Sequence, residues 1–400
     1  MARGPQQERR RQPAKPDPVT ARAASSTEGA EREHMQRGIL GATGLEVSIL
    51  GFGGIKLPRV EPQEAARALN RALDLGINFV DTARGYQDSE SKIGHALKHR
   101  RHEYLLATKT GARDAAGLRA HLEMSLRELQ TDYIDLYQLH NVSDPQSLQQ
   151  VLAPGGAVEE ARRAQQQGLI RHFGITIHRA VPQMEQAIRS GEFETLMVAY
   201  SPLDPEGVEP TVLPLAHQQG LGVVIMKALG GGTLATPAGM KAPGQPDRLV
   251  AGCLRFALSQ PAVSVVLAGI ETTAQVEENV ATVEASRQLS DADRRELVAA
   301  MAALRRSFRY GQVCLRCGYC QPCPQGIEIP TVFRAWHMAR EYPPELRHLG
   351  QELYRSLAVK VSACAECEQC LAKCPAGLAI PELLKQAAAE LEQAASAIGE

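Results

Sequence analysis

The chain has 400 residues, with 44 Lys and Arg against 45 Asp and Glu, 44% hydrophobic residues and nine cysteines. That length suits one large domain plus a smaller one. The near-balance of charge supplies no basic field for nucleic acid or an anionic membrane, and no apolar run is long enough to span a bilayer.

Residues 1–34 are rich in Arg, Pro, Ala, Gln and Ser and lack apolar periodicity, so they are expected to form a disordered tail. Arg9-Arg10-Arg11 is not followed by the apolar segment of a secretory signal, and Glu28, Glu31 and Glu33 argue against an organelle transit peptide. Translation starting at Met35, where ordered patterning begins, is the alternative to a solvated tail.

From Met35 onward the pattern repeats as short apolar strand, turn and amphipathic helix. Gly38 to Val47 reads as a small hairpin, with Thr43-Gly44 near its turn. Strands are expected at Ser48–Phe52, Ile77–Val80, Tyr104–Thr108, Tyr133–Tyr137, Ile170–Ile175, Leu196–Ala199, Gly222–Met226 and Val263–Leu267. Helices are expected at Pro62–Leu75, Ser89–Leu97, Ala115–Leu129, Gln146–Gln166, Val181–Ile188, Val208–Gln218, Arg248–Leu258 and Thr273–Val283. Eight strands alternating with eight helices predict an α/β fold, a (β/α)8 barrel. A doubly wound sheet would carry a G-x-G-x-x-G fingerprint after its first strand, a spacing that Gly51-Phe52-Gly53-Gly54 does not fit. A last helix opens with Ser290 and Asp293 in capping-box spacing and is expected to reach about Phe308. The implied division is a tail at 1–34, a barrel at 35–308 and a small α-helical, cysteine-rich domain at 309–400.

In such a barrel the reactive groups project from the carboxyl ends of the strands. Those ends carry Asp81, with Tyr86 shortly after it, then Lys109, then His140. Hydride delivery to a carbonyl builds negative charge on oxygen, which needs a proton donor and fixed positive charge nearby. A free phenol, with a pKa of about 10, donates poorly at neutral pH, and a neighbouring ammonium favours its ionised form. Tyr86 is therefore the candidate proton donor, Lys109 its electrostatic tuner, Asp81 the partner of that lysine, and His140 the group that polarises or orients the carbonyl. Singly, each has an ordinary explanation: a turn cap, a surface charge, a core histidine, packing. Together, at consecutive strand ends, they read as a site.

The segments Gly-Ile-Asn-Phe-Val-Asp81-Thr-Ala-Arg-Gly-Tyr86, Ala-Thr-Lys109-Thr-Gly, Tyr-Gln-Leu-His140 and Arg-His-Phe-Gly174-Ile-Thr resemble the aldo-keto reductase family from residue 37 to about 285. That resemblance implies a barrel binding NAD(P)H without a Rossmann fold, a Tyr/Lys/His/Asp tetrad at the four positions above, and reduction of a small aldehyde or ketone. It places cofactor contacts at Gly53, Gly54, Thr176, Tyr200, Lys227, Gly269, Gln275 and Asn279. Two departures stand out: Gly174-Ile-Thr176 replaces the family's usual Ser-Asn after strand five, and Met197 stands where a Gln often precedes the aromatic. Thr176 is expected to bond the nicotinamide amide and Tyr200 to stack on its ring. The adenosine-phosphate loop offers no Lys or Arg between Gly269 and Asn279, and Glu271 suits a free ribose hydroxyl, which tilts the expectation towards NADH. Cys253, beside Leu249 and Phe256 on an apolar helix face, reads as core. His178, His217 and Gly230-Gly231-Gly232 carry no assigned role, although the glycines suit a pyrophosphate.

The remaining eight cysteines fall in two near-copies: Cys314, Cys317, Cys320 and Cys323-Pro324, then Cys364, Cys367, Cys370 and Cys374-Pro375. Three cysteines in C-x2-C steps and a fourth before proline resemble the bacterial ferredoxin pattern for [4Fe–4S] clusters. Structural zinc, which pairs two knuckles a dozen or more residues apart, is the rival. The first copy has one residue fewer before its fourth cysteine. The ferredoxin resemblance implies exchanged sets, Cys314, Cys317 and Cys320 with Cys374, and Cys364, Cys367 and Cys370 with Cys323. Each copy continues into a helix-like segment after Pro330 or Pro381. The confinement of cysteine to these motifs argues for a reducing, cytoplasmic setting. The whole chain resembles the subset of aldo-keto reductases with a C-terminal two-cluster domain, which implies electron transfer with a protein partner. Nicotinamide moves two electrons as hydride whereas each cluster moves one, and no flavin motif is legible to couple them. The alternative is therefore a cofactor-binding redox-sensing or regulatory subunit whose clusters are structural or sensory.

Overall fold

The computed structural model describes residues 35–178, 180–232, 234, 248–286, 288–301, 314, 318–341, 347–374 and 377–396. The expected tail, the far end of the helix after the barrel, the boundary near 308, Cys317 and Pro375 lie outside the described residues.

An antiparallel pair, β1 (Arg37–Ile39) and β2 (Glu46–Ser48), precedes eight parallel strands: β3 (Leu50–Gly53), β4 (Phe79–Asp81), β5 (Leu105–Thr110), β6 (Ile134–Leu139), β7 (Ile170–Ile177), β8 (Thr195–Ala199), β9 (Gly222–Met226) and β10 (Val263–Gly269). They close as a barrel in sequence order, with β10 pairing β3. The helices between them are α1 (Pro62–Asp74), α2 (Ser89–Leu97), α3 (Ala115–Leu129), α4 (Pro145–Leu152), α5 (Ala157–Gln166), α6 (Val181–Ser190), α7 (Val212–Gln218), α8 (Arg248–Leu258) and α9 (Thr273–Ala285), followed by α10 (Asp291–Ala300). The expected helix over Gln146–Gln166 is two helices, because Pro154-Gly155-Gly156 interrupts it and Gly155 takes φ +75°. The helix expected from Val208 starts at Val212, since Pro210 disfavours a helical backbone at the residue before it.

Strand alternation divides the apolar residues into two layers. Phe79, Ala107, Leu136, Met197, Val224 and Val265 fill the barrel interior. Residues one step along, such as Val80, Tyr137, Ile175 and Val198, pack under the helices. The hairpin closes the amino-terminal end: Leu40 and Val47 join the interior core, and Ala42 N donates to Gly220 C=O at 2.8 Å. Gly41 has φ +53°, and a Cβ there would stand 2.2 Å from Gly222 N, so only glycine fits.

The carboxyl-terminal region supplies α11 (Ile329–Glu341), α12 (His348–Ser356), α13 (Gln369–Lys373) and α14 (Ile380–Ser396). The helices expected after the two cysteine motifs are α11 and α14. Their core, including Ile327, Val332, Leu378 and Leu384, is continuous with Ala199, Leu203 and Leu234 at the carboxyl end of the barrel. Among the described residues no helix is long and apolar enough to cross a membrane.

Candidate active site

The alternation that fills the barrel also aims the polar residues. Phe79 faces inward, so Asp81 does too. Ala107 is followed at the same parity by Lys109, and Leu136 by Gln138 and His140. Lys109 Nζ donates to Asp81 Oδ2 at 2.6 Å and to Thr82 C=O at 2.6 Å, and both side chains of the ion pair are buried. Gln138 Nε2 lies 3.5 Å from the other Asp81 oxygen. The Tyr86 ring centre is 5.1 Å from Lys109 Nζ, and the His140 ring meets Tyr86 edge-on at 5.6 Å between centres. The four residues singled out in the sequence thus meet at one end of the barrel.

Burial pushes the Asp81 carboxyl upward, against the pull of Lys109. Burial alone would lower the Lys109 ammonium, but Asp81 and Tyr86 outweigh it and hold it above the ordinary lysine value. Lys109 therefore keeps its charge, and the short bond to Asp81 is an ion pair. His140 sits well below the ordinary imidazole value, first through burial and then through the cations Lys109, Arg113 and Lys227, so it is neutral at pH 7. Arg113 also fixes the loop carrying it, donating to His140 C=O at 2.8 Å and Asn141 C=O at 3.1 Å.

The expected cofactor residues are less uniform. A Cβ on Gly53 would come within 2.9 Å of Ala268 C=O, and one on Gly54 within 3.0 Å of Asp81 C=O, so these glycines let the strand ends close together. Thr176 is buried, and its Oγ1 accepts from Asn141 N at 2.8 Å. Lys227, at φ +62°, brings Nζ to 3.0 Å from Nδ1 of His178, whose ring lies 6.3 Å from that of His140. Gly269 ends β10, Asn279 is buried on α9, and Gln275 accepts from Glu271 N at 2.8 Å.

Tyr200 does not reach the barrel mouth. Met197 points inward, so Leu196, Val198 and Tyr200 point outward to the helix layer. Its ring stacks on Phe256 at 5.2 Å and its hydroxyl donates to Glu209 at 2.7 Å, with Arg294 alongside. The loop expected to hold the adenosine phosphate has no Lys or Arg of its own, as its sequence shows, but draws cations from elsewhere. Glu271 pairs with Lys56 at 3.4 Å and Arg59 at 3.5 Å, two cations from the loop after β3.

Of the residues the sequence left aside, Gln138 and His178 share the inward parity of His140 and Thr176. Tyr319 gave no such signal. It lies in the first cysteine motif, and its hydroxyl is 2.7 Å from His140 Nε2. Its ring centre stands 5.6 Å from His140 and 5.9 Å from Tyr86.

Cys320, Cys323, Cys364, Cys367 and Cys370 line one pocket with apolar neighbours including Ile327 and Leu384. Cys314 and Cys374 pack against the same core. Burial raises the Cys370 thiol, and Cys364, Cys367 and Cys323 raise it further by crowding like charge around it. Soft thiolates gathered in an apolar pocket suit iron–sulfur ligation, because the cluster irons relieve the repulsion among them. Cys253 is buried.

A parallel barrel with a buried lysine–carboxylate pair, a phenol and a neutral imidazole at its carboxyl end has the form of an oxidoreductase site. The model of the aldo/keto reductase family matches residues 49–250, and that of a 4Fe-4S dicluster domain matches residues 313–380. The chain belongs to the aldo/keto reductase family and carries a C-terminal 4Fe-4S dicluster domain. It is 29% identical over 293 residues to the uncharacterized oxidoreductase YqkF of Bacillus subtilis, an alignment covering 63% of this chain and 92% of that one. It is 30% identical over 287 residues to L-galactose dehydrogenase of Arabidopsis thaliana, covering 61% and 86%. Among solved structures, the holo form of aldo-keto reductase AKR11C1 from Bacillus halodurans is similar, with TM-score 0.56 and 32% identity over 67% of this chain and 97% of that one.

Proposed function

We propose that the protein reduces an aldehyde or ketone with NAD(P)H, using Tyr86, Lys109, Asp81 and His140. The observation that carries this reading is the buried Lys109–Asp81 pair beside Tyr86, with neutral His140 across from it. A reduced nicotinamide supplies the hydride when bound. Lys109, kept charged by Asp81, favours loss of the Tyr86 proton towards the carbonyl oxygen, and His140 orients that oxygen by a hydrogen bond from a neutral imidazole. The residues suit an anionic dinucleotide in charge: Lys56 and Arg59 bring positive charge to Glu271 on the β10–α9 loop, while Gly53 and Gly54 let the strand ends beside it pack closely. Those cations offset the acidic loop, which makes NADPH as suitable as NADH.

The eight motif cysteines are assigned to two [4Fe–4S] clusters, which supply one-electron transfer when present. Cys320 lines the same pocket as Cys323, Cys364, Cys367 and Cys370, but Cys323 is the cysteine of the first motif that acts on Cys370 together with Cys364 and Cys367, which supports an exchanged set, leaving Cys314, Cys317 and Cys320 with Cys374. Anaerobic purification with iron and sulfide counts, followed by NADH or NADPH oxidation against a carbonyl panel, tests both parts. The expected result is turnover that Tyr86→Phe reduces by about a hundredfold or more with cluster content unchanged. Turnover surviving that substitution would overturn the assignment of the proton donor.

A further inference from the structure

We propose that Tyr319 is a specificity-determining residue of the barrel, holding from the cluster domain the position at His140 that a substrate carbonyl must take. Three observations converge. The Tyr319 hydroxyl lies 2.7 Å from His140 Nε2. Its ring stands 5.9 Å from Tyr86 and 5.6 Å from His140, so one phenol packs against both the proposed donor and the proposed orienter. And the side chain is carried on a tight turn, closed by Gln321 N donating to Gly318 C=O at 2.9 Å, with Gly318 at φ +81°. Tyr319 is the second residue of that turn, and its side chain reaches His140 and Tyr86.

The turn is anchored at Cys320, which is buried in a core shared with Ala199, Leu203 and Leu234 of the barrel. Tyr319 is thus not a surface side chain resting by chance on the mouth. His140 presents Nε2 to one oxygen at this distance, so a carbonyl oxygen and the Tyr319 hydroxyl compete for it. The Tyr319 ring also takes up space beside Tyr86, which penalises bulky substituents on the carbonyl carbon. The phenol therefore sets a threshold of affinity and a limit of size.

This inference rests on the reading of the barrel as a carbonyl site. Its test is equilibrium binding rather than turnover: isothermal titration of the anaerobically purified holoprotein, saturated with oxidised nicotinamide dinucleotide, with acetophenone and with the bulkier 2-acetonaphthone. Tyr319→Phe removes the competing hydroxyl and keeps the ring, and should tighten both ketones by on the order of fivefold, the worth of one hydrogen bond. Tyr319→Ala also removes the ring, and should tighten 2-acetonaphthone more than acetophenone. Iron and sulfide counts equal to wild type establish that each variant keeps its clusters, and Tyr319→Phe guards against a folding loss in Tyr319→Ala. Unchanged Kd values in both variants, or weaker binding in both, would overturn the proposal, the latter by making Tyr319 a group that holds the ketone. Failure of the carbonyl-reductase reading would show separately, as turnover that Tyr86→Phe leaves intact.

Discussion

Replacing Asp81 by Asn keeps the shape of the side chain and removes the charge that holds Lys109. The ammonium would then be buried with Thr82 C=O, at 2.6 Å, as its remaining strong acceptor among the bonds given above. Breaking a buried pair by removing one partner costs about 3–5 kcal/mol, because the other charge is left uncompensated. The retained bond to Thr82 puts Asp81→Asn near the lower end, about 3 kcal/mol, equivalent to a fall in Tm of about 6–12 °C for a domain of this size. With the carboxylate gone, burial dominates and the Lys109 pKa should drop, since Asp81 is the first of the groups that raise it. The informative comparison is a double-mutant cycle with Lys109→Met, read by thermal denaturation of samples matched in iron and sulfide. Asp81→Asn/Lys109→Met should be clearly more stable than the sum of the two single losses, by at least about 1.5 kcal/mol. Additive losses would mean that the two side chains are not coupled in the folded protein, and the electrostatic argument for Tyr86 would fall with them.

His140 has a folded pKa far below its unfolded value, so the unfolded chain binds the extra proton first and stability is lost as pH falls below about 6.5. His140→Gln should flatten the fall of Tm between pH 7.5 and 5.5, and an unchanged slope would place the titration elsewhere. Glu271→Gln removes the carboxylate that Lys56 and Arg59 face, and should move the NADPH-to-NADH affinity ratio about fivefold towards NADPH, on the scale of one exposed ion pair. Fluorescence titration of both nucleotides measures that ratio, and no movement would remove Lys56 and Arg59 from the nucleotide site. Tyr200→Phe should cost about 1 kcal/mol through the lost bond to Glu209 while leaving nucleotide affinity within about twofold, as its outward parity requires. A large loss of affinity would contradict that parity.

The barrel was legible because two periodicities agree along nearly its whole length. Each expected strand overlaps an observed one, and the quartet followed from which residues end strands β4 to β6. Where the reading slipped, the cause was local or remote. Tyr200 could have been placed correctly by carrying strict alternation past Met197, since Leu196, Val198 and Tyr200 share one face. The split of the expected Gln146–Gln166 helix was written in Pro154-Gly155-Gly156 and was overridden by amphipathic spacing on either side. The charge around Glu271 could not be read from its own loop, because Arg59 arrives from a segment 212 residues earlier.

Tyr319 is the harder case. Its neighbours announce a cluster turn, and nothing in a ligand motif states which surface the intervening side chain will meet. That depends on docking, and docking here follows from apolar continuity: Cys320, Ile327 and Val332 share a core with Ala199, Leu203 and Leu234 at the barrel mouth. A domain joined only as an electron relay would need no side chain among the reacting groups of its partner. The Tyr319–His140 bond gives the appended domain a direct part in the proposed carbonyl site, whether or not electrons pass between them. On this geometry the cysteine turn forms one wall of the proposed carbonyl site, with the Tyr319 ring against both His140 and Tyr86.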